Sequence, residues 1–103
     1  MPNQPFLSVI IPAYNEQNNL KRPILDEVVT YLQNQPYEFE LILSDDGSTD
    51  GTVEVFKKFA KKNKNVKVII NPHRGKGPTV TSGMLAASGK RRLFTDFDQT
   101  TPL

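Results

Sequence analysis

The segment "LFTDFDQTTPL" carries two aspartates one residue apart, Asp96 and Asp98. In an extended backbone, side chains two apart point the same way, so both carboxylates reach one small region. Two like charges that close raise each other's cost of ionisation unless a cation lies beside them. Hard oxygen ligands with no Cys or His partner suit Mg²⁺ or Mn²⁺, which complete their shells with water and substrate phosphate. That chemistry points to a nucleoside diphosphate bridged by a metal. The competing reading is a turn capped by two aspartates, a common use of Asp, and the pair alone does not decide between them.

Two further segments are open in the same way. In "SDDGSTDG", Asp45 and Asp46 close an apolar run, where an acidic side chain can accept a hydrogen bond from a ribose hydroxyl or a base N–H. The same residues also spell a glycine turn with an Asx cap on a following helix. In "NPHRGKG", Arg74 and Lys76 sit beside two glycines; the spacing is not that of a P-loop. Phosphate contact at a helix start and a flexible basic turn are both compatible with it. His73, the only histidine, has no predicted partner and reads as a surface loop residue.

The elements that must position these groups alternate in type. Apolar, β-branched runs predict strands from Phe6 to about Pro12, from Phe39 to Ser44, from Val66 to Ile70 and around Leu93 to Phe97. Between them, apolar residues recur at three- and four-residue spacing. Leu20, Ile24, Leu25, Val28, Tyr31 and Leu32 predict a first helix capped at Asn18 or Asn19, with Pro23 in its first turn. Val53, Phe56, Phe59 and Ala60 predict a second, capped by Asp50, and Val80, Met84, Leu85 and Ala87 a third, stopped by a left-handed Gly89. The order β-α-β-α-β-α-β implies an α/β, Rossmann-like three-layer α/β/α fold with a mainly parallel sheet. Ligands bind such sheets outside the carboxyl ends of the strands. There the chain places "PAYNE", "SDDGSTDG", "NPHRGKG" and "TDFDQTTP", so four strand ends converge on one rim.

Composition narrows the function classes. A chain of 103 residues is one domain at most. The absence of cysteine removes disulfides, thiolate chemistry and zinc ribbons. A net charge of +2 does not argue for nucleic acid. No apolar run approaches the roughly 20 residues of a membrane span, and the N-terminal segment lacks the basic start of a signal peptide, so cytoplasmic residence is the default expectation. Lys57, Lys58, Lys61, Lys62 and Lys64 fall opposite the second helix's apolar stripe. They are expected to be a solvated face, with contact to anionic lipid headgroups as the alternative.

Taken in order, "SVIIPAYNE", "ELILSDDGSTDGT", "NPHRGKGPTVTSGMLAASG" and "FTDFDQTTPL" resemble the inverting family 2 glycosyltransferases, with their nucleotide-sugar-binding GT-A fold. The later two segments look most like the branch of dolichyl-phosphate glucose and mannose synthases and their polyprenyl-phosphate relatives. The resemblance implies that Pro12, Tyr14 and Glu16 line the nucleotide pocket and that Asp46 reads the base. It implies that Asp98 binds the metal with Asp96, which also approaches the ribose and sugar, and that Lys76 contacts nucleotide or sugar. The implied cofactor is Mg²⁺ or Mn²⁺, and the implied donor a nucleotide diphosphate sugar of the UDP-glucose or GDP-mannose type. The acceptor would be a polyprenyl phosphate or a glycan, met at the cytoplasmic face of a membrane by peripheral association.

Three residues depart from the family pattern: Phe97 stands between the aspartates where Ala is usual, Gln99 replaces an apolar residue, and Pro78 interrupts the third helix near its start. Family members continue well past the D-x-D. Residues 1–103 are therefore expected to be the N-terminal, donor-binding part of a transferase domain, inactive alone and without an identified catalytic residue. A fourth strand left without an outer neighbour would expose a sheet edge open to pairing with a second copy. A nucleotide-binding module without transfer activity is the alternative. A nucleotidyltransferase is a weaker one, since the glycine-rich basic loop with which such enzymes open is absent after Ile11.

Overall fold

A computed structural model describes residues 4–96; Phe97, Asp98 and Gln99 lie outside the described residues. Strand β1 spans Leu7–Ala13, helix α1 Ile24–Gln33, β2 Phe39–Asp45, α2 Thr52–Lys62, β3 Val66–Ile70, α3 Lys76–Ala86 and β4 Arg91–Phe94, with a 3-10 turn at Asn19–Lys21 before α1. All pairings are parallel, in the order β3-β2-β1-β4. Leu7 to Ala13 run in register with Phe39 to Asp45, and Leu7 to Ile10 with Arg91 to Phe94. The chain steps outward from β1 through β2 to β3, then returns to place β4 on the other side of β1. That reversal opens a crevice at the carboxyl ends of β1 and β4, where α/β sheets bind ligands.

Alternation along β1 and β2 sorts the core into two layers. Val9, Ile11, Leu41 and Leu43 meet Leu25, Val29 and Leu32 of α1 and the fully buried Phe56 of α2. Ile10 and Ile42 face the other way, against Met84, Ala87 and Ile69. Burial on both faces explains why these strands are nearly continuous apolar runs, interrupted within them by Ser8 and Glu40, and each large apolar side chain so buried contributes roughly 1.5–3 kcal/mol. Helix α3 lies close on the sheet because Gly83 lets it. A Cβ at that position would stand 2.5 Å from Ile10 Cγ2.

Several boundaries differ from expectation. The first helix does not run from Asn18 or Asn19. Proline disfavours the helical region for its predecessor, and Arg22 is extended (φ −87°, ψ 154°), so a 3-10 turn ends there and α1 starts afresh after Pro23. Asp50 caps α2 from one residue further out than expected: Gly51 is the flanking residue, and the Asp50 carboxylate accepts the Thr52 N–H at 2.9 Å. Helix α3 ends at Ala86, before Gly89, which is not left-handed. Gly89 instead passes tightly against β1, where a Cβ would meet Ser8 N at 2.8 Å. The inward ridge of α3 is Thr79 and Gly83, four apart; Leu85, about 200° further around the helix from Gly83, is 82% exposed rather than buried. Strand β4 is short and early, so Asp96 follows it rather than lying within it.

The expected exposed edge is present. All four residues of β4 are exposed, and among the described residues β4 pairs only with β1. The lysines at 57, 58, 61, 62 and 64 are exposed as expected. No helix among the described residues is long and apolar enough to cross a membrane.

Candidate functional site

The loop after β1 turns on Asn15, which adopts a left-handed conformation (φ 51°) that Asn tolerates better than most residues. Its N–H donates to Ser48 Oγ at 2.9 Å, and its Oδ1 accepts the Thr49 N–H at 2.8 Å. The next residue, Glu16, donates its N–H to Thr52 Oγ1 at 2.9 Å and accepts from Asn19 Nδ2 at 2.6 Å. The β1 loop is thus sewn to the start of α2. Asn15 and Gln17, which accepts the Gly51 N–H, were not among the predicted site residues. The available signal was an Asn two residues past the strand end, the residue type that after glycine most readily turns left-handed.

The two aspartates ending β2 divide the roles left open by the sequence. Asp45 continues the buried face of Leu41 and Leu43 and closes the turn, accepting the Ser48 N–H at 2.8 Å and the Ser48 hydroxyl at 2.5 Å. Asp46, 4% exposed, instead gathers the loop after β3. Its Oδ1 accepts the Arg74 N–H at 2.7 Å, its Oδ2 accepts the Gly75 N–H at 3.0 Å, and His73 Nδ1 stands 2.9 Å from Oδ2. Burial acts to raise the Asp46 pKa, but the N–H donors of Arg74 and Gly75, the Thr79 hydroxyl and the nearby His73 outweigh it and hold the carboxyl below its ordinary value. His73 is exposed as expected, with 58% of its side chain accessible, but it is not without partners: its ring also stacks on Tyr14 with centroids 4.2 Å apart.

At the start of α3, Lys76 Nζ lies 2.7 Å from Asp96 Oδ2 and 5.7 Å from the centroid of the Phe94 ring. Pro78, third in that helix, falls in the first turn, where a missing N–H costs no helical bond. Pro12, Tyr14, Glu16, Asp46, Lys76 and Asp96 are brought together with Ala13 and Thr79 around one cavity of about 140 Å³ at the β1/β4 crevice. Of the predicted site residues only Asp98 is not placed, being outside the described residues. The volume is below the roughly 300–1,000 Å³ of a full ligand pocket, so the cavity has room for part of a nucleotide. A larger groove of about 790 Å³ beside β3 and α3 has no carboxylate in its wall.

As a metal site the described residues are incomplete. Asp96, about a third exposed, offers the hard oxygen that Mg²⁺ or Mn²⁺ prefers, and Asp46 is committed to the loop after β3. Among the described residues no three potential ligands gather.

Residues 8–102 match the family model described as glycosyl transferase family 2. The chain belongs to this family. A dolichyl-phosphate beta-glucosyltransferase of Drosophila melanogaster is 41% identical over 103 residues, a match covering 92% of this chain and 31% of the relative. The mannosyltransferase PcManGT from Pyrobaculum calidifontis, solved in complex with GDP-Man and Mn²⁺, superposes with a TM-score of 0.73 at 26% identity, covering 98% of this chain and 30% of that one. S. aureus TarS 1-349 in complex with UDP gives a TM-score of 0.71 at 31% identity, covering 90% and 27%. The parallel sheet with its flanking helices is thus the α/β fold of GT-A glycosyltransferases. The chain spans about a third of the length of the curated relatives it matches.

Proposed function

We propose that this chain is the donor-binding part of a family 2 hexosyltransferase. It would hold a nucleoside diphosphate hexose for inverting transfer to a dolichyl or other polyprenyl phosphate. One observation carries the reading: residues from four strand ends line a single cavity at the reversal point of the sheet. Tyr14 supplies a ring face for a base, and Asp46 fixes the loop beside it. Lys76 brings a positive charge to where a diphosphate would lie. Asp96, together with Asp98, would hold the divalent ion, which when bound neutralises charge on the departing diphosphate.

A phosphate acceptor is already anionic at neutral pH and needs no general base. No residue here is assigned that role. The family's Mn²⁺ complexes and the dolichyl-phosphate relatives support this donor, metal and acceptor class. Helix α2 begins at the cavity, where Thr52 meets Glu16, and ends at the far rim beside the start of β3. Its lysines are exposed and form a solvated face.

Titration calorimetry with UDP, UDP-glucose and GDP-mannose, with and without Mn²⁺, tests the proposal. Metal-dependent binding of one nucleotide class is expected, lost in Asp98→Asn with the fold intact. Binding that ignores the metal, or no nucleotide binding at all, would contradict it.

A further inference from the structure

We propose that His73 is a positioning residue of the nucleotide pocket. It braces the Tyr14 ring from one face and anchors the 73–75 loop through Asp46, so that a nucleobase binds against a preformed aromatic wall. The inference rests on the donor-site function above and adds to it a residue that is not among the predicted site residues.

His73 joins the loops that follow β1, β2 and β3. Its ring lies nearly parallel to that of Tyr14, with centroids 4.2 Å apart at 22°. Its Nδ1 faces two oxygens of Asp46, the main-chain carbonyl at 3.1 Å and carboxylate Oδ2 at 2.9 Å. A bare lone pair there would be repelled by both, so Nδ1 carries the proton and donates. The turn below it admits nothing larger: a Cβ on the left-handed Gly47 would come within 2.8 Å of His73 N. Position 73 is therefore fixed at its backbone, at one ring nitrogen and at one ring face. Tyr14 itself is 41% exposed. The stack on His73 restrains the rotamers of this half-exposed ring, and losing it adds an entropy cost on meeting a base.

Replacement by Phe keeps the stack and loses the donor. Asn keeps a donor and loses the stack, and Ala loses both. Calorimetry of each variant with UDP plus Mn²⁺, and with inorganic pyrophosphate plus Mn²⁺, separates base binding from phosphate binding. His73→Ala is expected to bind UDP about tenfold more weakly, with pyrophosphate affinity unchanged. Tyr14 ring proton resonances should move in His73→Ala and His73→Asn, and stay nearer to wild type in His73→Phe.

Unaltered UDP affinity in His73→Ala, or equal losses for UDP and pyrophosphate, would overturn the inference. A wild-type chain that binds neither UDP nor GDP would instead remove the donor-site function. The positioning claim would then be decided by the Tyr14 resonances and by hydrogen exchange at Arg74 and Gly75, which should quicken in His73→Ala and His73→Phe if Nδ1 holds the loop, and stay unchanged if it does not.

Discussion

Replacing Asp46 with Asn removes one charge and almost no volume, so its effect isolates the electrostatic hold on the loop after β3. The native carboxylate accepts N–H groups from Arg74 at 2.7 Å and Gly75 at 3.0 Å and faces His73 Nδ1 at 2.9 Å. Hydrogen bonds to a charged acceptor are worth about 1.5–3 kcal/mol against roughly 0.5–1.5 for neutral ones. Asn keeps one oxygen, which can serve Arg74, and turns an NH₂ toward the Gly75 N–H, donor against donor. The expected loss is about 2 kcal/mol, or on the order of 10 °C in the unfolding midpoint for a chain of this size.

The pH dependence gives the sign. Because the folded pKa of Asp46 lies below its ordinary 3.8, the unfolded chain takes up that proton first as the solution is acidified. Its stabilisation is fully present above that ordinary value and disappears as pH falls through the lowered one. Thermal unfolding followed by far-UV circular dichroism should show the Asn variant well below wild type at neutral pH, with the gap closing in acid. Glu40 and Asp50, whose carboxyls are also held low by accepted hydrogen bonds despite burial, add an acid sensitivity common to both proteins. Equal midpoints at neutral pH, or a gap that survives acidification, would refute this account of Asp46.

Further substitutions test the packing and the site. Gly83→Val forces a branched side chain into Ile10, 2.5 Å from the position of its Cβ, and should cost about 1–3 kcal/mol in chemical denaturation. Leu85→Ser, at a residue 82% exposed, should change stability by no more than about 0.5 kcal/mol. Lys76→Met removes the cation beside Asp96; calorimetry should show weaker binding of UDP with little change for uridine.

The strands were legible because β1 and β2 are buried on both faces and therefore read as near-continuous apolar runs. Convergence of their ends followed from topology, and the cavity contains the predicted residues from four separate segments. What stayed hidden depends on contacts remote in sequence. His73 meets Asp46 across 27 positions, and a single histidine in a polar loop has no local pattern to announce a partner. Asp45 and Asp46 are neighbours at a strand end, so opposite orientations were certain, but which one closed the turn depended on register. Leu85 was misplaced because the inward ridge of α3 is built from Thr79 and Gly83, residues that a hydrophobicity pattern ignores. Pro23 reads as a first-turn proline, yet its restriction on Arg22 is enough to separate the 3-10 turn from α1.

The most direct test is a map of backbone amide shifts on adding UDP with Mn²⁺ to the isotopically labelled chain. The donor-site account predicts perturbations at 12–16, 46–48, 73–79 and 95–98, the four strand ends, with the largest losses of signal near Asp96 and Asp98 from the paramagnetic ion. Shifts confined to the groove between β3 and Leu85, or a pattern identical with and without the metal, would contradict it.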